Sequence, residues 1–197
     1  MWRRHFPYAR SRARHRHVAF SSDLDQITRA AAGDRQAVSA LVNRYSPGVL
    51  ALATRMLGDR SEAEDVTQDT FIRAWKALPE WEPRAKFSTW LHRVALNLCY
   101  DRLRKRREST MAEPPEQVDM ALRPDDALDQ TERVQAVEAA IAALPERQAA
   151  ALTLCALQDH SQVEAADIME ISVEALESLL ARARRTLRGV LLERSDA

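Results

Sequence analysis

Apolar residues recur at spacings of three and four along nearly the whole chain, and no stretch alternates apolar with polar residues as a run of strands would. The expected fold class is therefore all-α. Between Ser22 and Leu57, the residues Leu24, Ile27, Val38, Leu41, Val42, Tyr45, Val49, Leu52, Ala53 and Met56 keep this rhythm. It breaks at Ala32-Gly33-Asp34, which predicts two helices. Gly58-Asp59 reads as a turn, and Ser61 with Glu64 as a capping box opening a third helix to about Leu78. Pro79 and Pro83 bracket an irregular loop ending at Phe87, after which Ser88 is expected to cap a long helix through Arg107. Further on, Val134 to Leu144 is helical and Pro145 opens a helix from Glu146 to Leu157. Ser161 and Glu164 form a second capping box. The helices Gln162 to Met169 and Val173 to Leu192, joined at Glu170-Ile171-Ser172, have helix-turn-helix proportions.

Composition removes several functional classes. No run approaches the roughly eighteen apolar residues of a membrane span, so membrane insertion is not expected. Cys99 and Cys155 lie far apart without metal-ligand spacing, which argues against a disulfide framework or a zinc site and for a reducing compartment. Both cysteines read as small core residues, and His92 and His160 lack a second ligand at metal spacing. With four glycines and neither a GxGxxG nor a GxxxxGK[ST] pattern, no phosphate-cradling loop is indicated. No nucleophile, base and orienting group fall into a recognisable arrangement, so neither an active site nor a cofactor is expected.

The 29 basic and 29 acidic side chains cancel overall but are unevenly distributed. Residues 1–22 carry six Arg and no acid, and residues 23–107 carry fifteen basic and eleven acidic side chains. Residues 108–132 carry one basic and eight acidic side chains with Pro114, Pro115 and Pro124, the composition of a flexible, solvated linker. Residues 133–192 form the second small helical domain, and 193–197 a tail. Two domains on a tether suit two separated sites on one extended partner. The Arg-rich start has no apolar core after its paired arginines and is not expected to be a signal peptide. It reads as a disordered tail, or as a phosphate-binding arm. No regulatory module is expected after Leu192.

Three surfaces could carry function. On the last helix, Val173, Leu176, Leu180, Ala183 and Leu187 share one side, while Glu174, Glu177, Ser178, Arg182, Arg185 and Arg188 share the other. Following the turn residue Ser172, such a helix can lie in a DNA major groove, although an ordinary bundle helix has the same pattern. On the third helix, Asp65, Gln68, Asp69 and Ile72 fall within an arc of about 100°, opposite Ala63, Thr67, Thr70, Phe71, Ala74 and Leu78. Acids around one apolar residue suit a basic helical partner, and equally a plain solvated face. Finally, Trp90, Arg93, Asn97 and Arg104 share a stripe, preceded by Trp81, Arg84 and Lys86 in the loop. Aromatics interleaved with cations suit single-stranded DNA, though Phe87 and Trp90 also read as core. Trp81, among prolines and charges, has less reason to be buried.

Three segments together resemble the extracytoplasmic-function (group 4) sigma factors of the sigma-70 family of bacterial RNA polymerase. They are Ala63-Glu64-Asp65-Val66-Thr67-Gln68-Asp69-Thr70-Phe71-Ile72-Arg73-Ala74-Trp75; Phe87-Ser88-Thr89-Trp90-Leu91 with Asn97 and Asp101-Arg102-Leu103-Arg104; and Ala143-Leu144-Pro145-Glu146-Arg147 before the helix-turn-helix. The match runs over about residues 23–192. It implies that residues 23–107 are sigma region 2, with Asp65, Gln68, Asp69 and Ile72 docking on the clamp helices of the polymerase β′ subunit. Trp81, Arg84, Lys86, Arg93, Asn97 and Arg104 would melt and hold the −10 element, with Asn97 near a flipped base. Residues 133–192 would be region 4, reading the −35 element through Ser172, Glu174, Glu177, Ser178, Arg182 and Arg185 and meeting the β flap. The resemblance further implies core RNA polymerase, promoter DNA and an anti-sigma factor as partners, a cytoplasmic location and a stress-type regulon.

One departure stands out. Many members carry a basic residue where this chain has Glu177 and Leu179, so the family's −35 contacts do not transfer there. A glutamate can accept from the N4 amino group of cytosine, which makes Glu174 or Glu177 a candidate cytosine reader. The competing reading is a stand-alone helix-turn-helix regulator with residues 23–107 as its dimerisation or ligand domain. It would require a dimer surface, for which the Asp65 face is too acidic.

Overall fold

The computed structural model describes residues 17–82, 85–112, 140–141 and 143–195. The helices are α1 (His17–Ala31), α2 (Arg35–Leu57), α3 (Arg60–Ala77), α4 (Phe87–Ala112), α5 (Glu146–Leu152), α6 (Gln162–Met169) and α7 (Val173–Ser195). A 3-10 turn, Leu78–Glu80, follows α3, and a π turn, Thr153–Leu157, follows α5. Among the described residues there is no strand.

Local chemistry sets most of these boundaries. Gly33 takes a φ of 90°, a left-handed conformation that L side chains resist, and α2 starts directly after it. Asp34 caps α2, its Oδ1 accepting from the N–H groups of Gln36 at 2.8 Å and Ala37 at 3.3 Å. Gly58 closes the same helix at φ 67°, its N–H donating to the Thr54 carbonyl at 2.9 Å.

Several boundaries differ from the sequence-based expectation. The cap of α3 is Asp59, whose Oδ1 accepts from Glu62 N–H at 2.8 Å; Glu64 pairs with Arg60 at 3.0 Å instead of reaching back to Ser61. An aspartate two positions upstream of Ser61 caps the helix two residues earlier, leaving Ser61 inside it. Helix α4 starts at Phe87, with Trp90 N–H donating to the Lys86 carbonyl at 3.1 Å, so Ser88 sits in the first turn. It continues to Ala112, because Glu108-Ser109-Thr110-Met111-Ala112 contains no helix breaker before Pro114. Helix α1 begins at His17, inside the stretch read as a tail, since no Gly or Pro interrupts residues 17–24. The rest of the Arg-rich start, most of the acidic linker and most of the helix expected at Val134 to Leu144 lie outside the described residues; Ala140 and Ile141 are helical and buried.

Helices α1 to α4 form one bundle. Leu41, Leu52, Val66, Leu91 and Leu96 are buried at its centre, each gaining about 1.5–3 kcal/mol from leaving water. Thr70 is buried there too, its hydroxyl donating to the Val66 carbonyl at 2.7 Å. Leu154, Ile168, Leu176 and Leu180 anchor the second unit, α5 to α7. The two units touch: α4 packs on α6, and α2 packs on α5 and the π turn. That turn widens the end of α5 and leads to Gln158, whose amide donates to the Gly48 carbonyl in α2 at 2.8 Å.

Candidate functional site

On α3, Asp65 and Gln68 are exposed, Asp69 is half-buried, and Ile72 leaves 48% of its surface in water. Burying that isoleucine against a partner gains apolar contact while the acids orient the docking. Arg102 of α4 spans the face from beneath, its guanidinium 3.9 Å from Asp65 Oδ2 and 3.8 Å from Asp69 Oδ2. At that length and exposure the pairs contribute little to stability. Arg106 secures the start of α3: it donates to the Leu57 carbonyl at 2.9 Å and pairs with Glu62 at 2.9 Å. Neither arginine was expected at this surface, although Arg102 belongs to the Asp101-Arg102-Leu103-Arg104 segment.

The aromatic and basic surface is arranged differently from the expected open stripe. The 3-10 turn ends with Trp81 N–H donating to Leu78, which folds the indole onto Phe87 edge-on at 5.6 Å. Trp81 is thus half-buried, because the turn before it returns the ring to the bundle. Phe87 stacks with Trp90 at 5.9 Å and meets the edge of Tyr45 at 5.6 Å, so Phe87 is core and Trp90 half-exposed beside it. Asn97 is exposed, as is Arg104, which pairs with Asp101 at 2.9 Å. Arg84 lies outside the described residues. Lys86 and Arg93 face the second unit: Lys86 pairs with Glu164, while Arg93 donates to the Asp167 carbonyl and lies 3.3 Å from Glu170 Oε1.

The helix-turn-helix is α6, a tight turn and α7. The expected capping box is present at α6: Glu164 N–H donates to Ser161 Oγ at 3.3 Å, and Glu164 Oε2 accepts from Ser161 N–H at 3.2 Å. Glu170 takes φ 53° at the turn, and Ile171 N–H donates back to the Ala166 carbonyl at 3.1 Å. Ser172 then caps α7, its Oγ accepting from Ala175 N–H at 3.2 Å. Leu176, Leu180 and Ala183 are buried, with Val173 and Leu187 packed beside them. Glu174, Glu177, Ser178, Arg182 and Arg185 project from the exposed side. Hydrogen bonds from its own backbone N–H and from Ser172 lower the Glu174 carboxyl below its ordinary pKa, keeping it an acceptor. Leu179 is half-buried against the core, so of the two departures only Glu177 faces solvent fully.

Both cysteines and both internal histidines are accounted for by packing. Cys99 is fully buried, and burial pushes its thiol up to about 12. His92 of α4 and His160, before α6, meet edge to face at 4.9 Å between the two units, a contact that nothing in the sequence signalled. Among the described residues no helix is long and apolar enough to cross a membrane.

Known proteins match both units. The family model of Sigma-70 region 2 matches residues 41–109, and that of Sigma-70, region 4 matches residues 134–187. The ECF RNA polymerase sigma factor SigW of Bacillus subtilis is 30% identical over 177 residues, spanning 84% of this chain and 95% of its own. The structure of CnrH in complex with the cytosolic domain of CnrY is similar with a TM-score of 0.66 and 30% identity, covering 89% of this chain and 99% of that one. The sigma factor RpoE in complex with the anti-sigma factor NepR, from Bartonella quintana, gives a TM-score of 0.64 and 26% identity over 78% of this chain and 95% of that one. With the two region matches in order along the chain and a capped helix-turn-helix in the second, the chain belongs to the extracytoplasmic-function sigma factors of the sigma-70 family, which direct RNA polymerase to promoters.

Proposed function

We propose that the chain divides this work between its two units. Asp65, Gln68, Asp69 and Ile72 dock on the clamp helices of the β′ subunit. Trp81, Arg84, Lys86, Arg93, Asn97 and Arg104 hold the melted −10 strand. Ser172, Glu174, Glu177, Ser178, Arg182 and Arg185 face the −35 duplex, with the β flap engaging the same domain. The observation that carries this reading is the α3 face, where a half-exposed isoleucine sits among the carboxylates of Asp65 and Asp69, each within 4 Å of Arg102. The regions on either side of the linker, 23–107 and 133–192, act as separate grips on polymerase and promoter.

The chain itself performs no chemistry; the polymerase forms the phosphodiester bonds. A subunit of that enzyme works in the cytoplasm. The neighbour structures carry CnrY and the anti-sigma factor NepR, which supports an anti-sigma factor as a partner here. The stand-alone regulator is disfavoured, because acids on the α3 face repel a second copy of themselves. Size-exclusion chromatography tests the docking assignment. The wild type runs as a monomer and comigrates with purified core polymerase. The Asp65→Ala, Gln68→Ala, Asp69→Ala variant stays monomeric and folded but elutes apart from core. A dimer that ignores core would reinstate the regulator.

A further inference from the structure

Cations meet the acids of α3 in two different ways. At the amino end the contacts are hydrogen-bonded pairs, with Arg60 3.0 Å from Glu64 and Arg106 2.9 Å from Glu62. At the docking residues the contact is looser. The Arg102 guanidinium stands 3.9 Å from Asp65 Oδ2 and 3.8 Å from Asp69 Oδ2, beyond the roughly 2.7–3.2 Å of an N–H···O bond. Asp65 and Asp69 are one turn apart on α3, and α4 packs along that helix, so a single side chain of α4 reaches both.

The three charges are layered. Asp65 and Asp69 keep 60% and 49% of their side-chain surface in water, whereas Arg102 behind them keeps 33%. No hydrogen bond joins Arg102 to either acid, so its presence leaves their oxygens able to accept from an incoming partner. What it removes is charge. Two carboxylates and one guanidinium leave a single net negative charge where the cations of a basic helical partner approach. The field of such a patch sets how fast an oppositely charged partner is captured, and like charges brought together across an interface oppose docking. The stem of Arg102 can cover apolar surface whatever its head carries, so packing accounts for the stem and not for the charge.

We propose that Arg102 sets the strength of polymerase docking: its charge, placed between Asp65 and Asp69, holds association with core below what the two acids alone give. The inference rests on the assignment of Asp65 and Asp69 to docking. Arg102 then acts as a built-in competitor for the partner's cations, present in the free chain and still beneath the face when the partner arrives. Removing its charge speeds capture. An exposed pair at this length corresponds to a change of about twofold to fivefold, carried mainly by the association rate and reduced as salt screens it.

The test measures association and dissociation of the full chain on immobilised, purified bacterial core polymerase, at low and at physiological salt. Arg102→Gln and Arg102→Met remove the charge and keep most of the stem. Arg102→Lys keeps the charge, and it is a fair rescue because no forked hydrogen bonds are made here for lysine to lose. Asp65→Asn with Asp69→Asn tests the docking assignment by itself. Chemical denaturation of each variant reports whether it is folded.

Both neutral variants are expected to keep the wild-type denaturation midpoint and to associate about twofold to fivefold faster at low salt, with a smaller gain at physiological salt. Arg102→Lys is expected to match the wild type. Folded neutral variants that bind core no faster than the wild type overturn the proposal, as does a gain undiminished by salt or one shared by Arg102→Lys. Failure of both neutral variants to fold makes Arg102 a residue of the fold and overturns it as well. The asparagine pair is expected to bind core more weakly than the wild type. If it binds as well, the docking assignment itself falls; if it binds more weakly while the neutral variants gain nothing, docking stands and only the role of Arg102 falls.

Discussion

Glu174 and Glu177 stand where a groove-reading helix exposes its side chains, and Ser172 holds the first of them at the amino end of α7. If either reads a cytosine, Glu174→Gln or Glu177→Gln relaxes base preference at one −35 position by about 1–3 kcal/mol while leaving the others intact. A binding-site selection checks this; unchanged preference at every position means that neither glutamate reads a base. With carboxylates in place of cations, the isolated C-terminal domain is also expected to bind weakly and with a shallow salt dependence. The histidine pair makes a second residue-scale prediction. Burial is the main cause that depresses His92, to about 4, with the Ser88 carbonyl opposing and His160 assisting. Burial depresses His160 as well, with Glu164 opposing and Lys86 assisting. Groups held neutral this way stabilise the folded chain above their ordinary pKa of about 6.5, and that support is lost as pH falls from there towards 4. Stability in chemical denaturation is therefore expected to fall between about pH 6.5 and 5, and His160→Gln to flatten the profile. Stability that is constant over that range contradicts it.

At the scale of single helices, the start of α3 separates two readings of one segment. Asp59-Arg60-Ser61-Glu62-Ala63-Glu64 offers an aspartate cap and a serine capping box two residues apart, and the structure uses the aspartate. Asp59→Ala is expected to cost about 1 kcal/mol in chemical denaturation, and Ser61→Ala to fall within about 0.5 kcal/mol of wild type. The reverse order would restore the serine cap. At Ser161 with Glu164 the sequence pointed to the right residue, although Asp159 stands at the same spacing upstream; its φ of 53° is not the extended conformation of a cap. The apolar period also pointed to the buried residues Leu176, Leu180 and Ala183 of α7, since a face that packs must repeat every turn. Trp81 shows the opposite case. Its neighbours are prolines and charges, yet the 3-10 turn folds it onto Phe87, and no local pattern encodes that return.

Across the whole molecule, what the residues could not reveal is the pairing of units. Lys86 and Glu164 are separated by 78 positions, and Gly48 and Gln158 by 110, distances over which periodicity carries no information. The contacts of His92 with His160 and of Arg93 with the Asp167 carbonyl emerge only once both units are folded. The arc of acids and isoleucine on α3 and the exposed side of α7 could be picked out because each lies on one element, whereas the aromatic and basic run crosses a turn, a loop and α4 and folds differently from the open stripe expected.

Run-off transcription tests the division of work between the two units most directly, using purified bacterial core polymerase and a genomic fragment library. The wild type is expected to direct discrete transcripts whose start sites align on common −10 and −35 elements, and the Asp65→Ala, Gln68→Ala, Asp69→Ala variant to lose them. Transcripts that persist at full strength with the triple variant would contradict the assignment of the α3 face to polymerase docking.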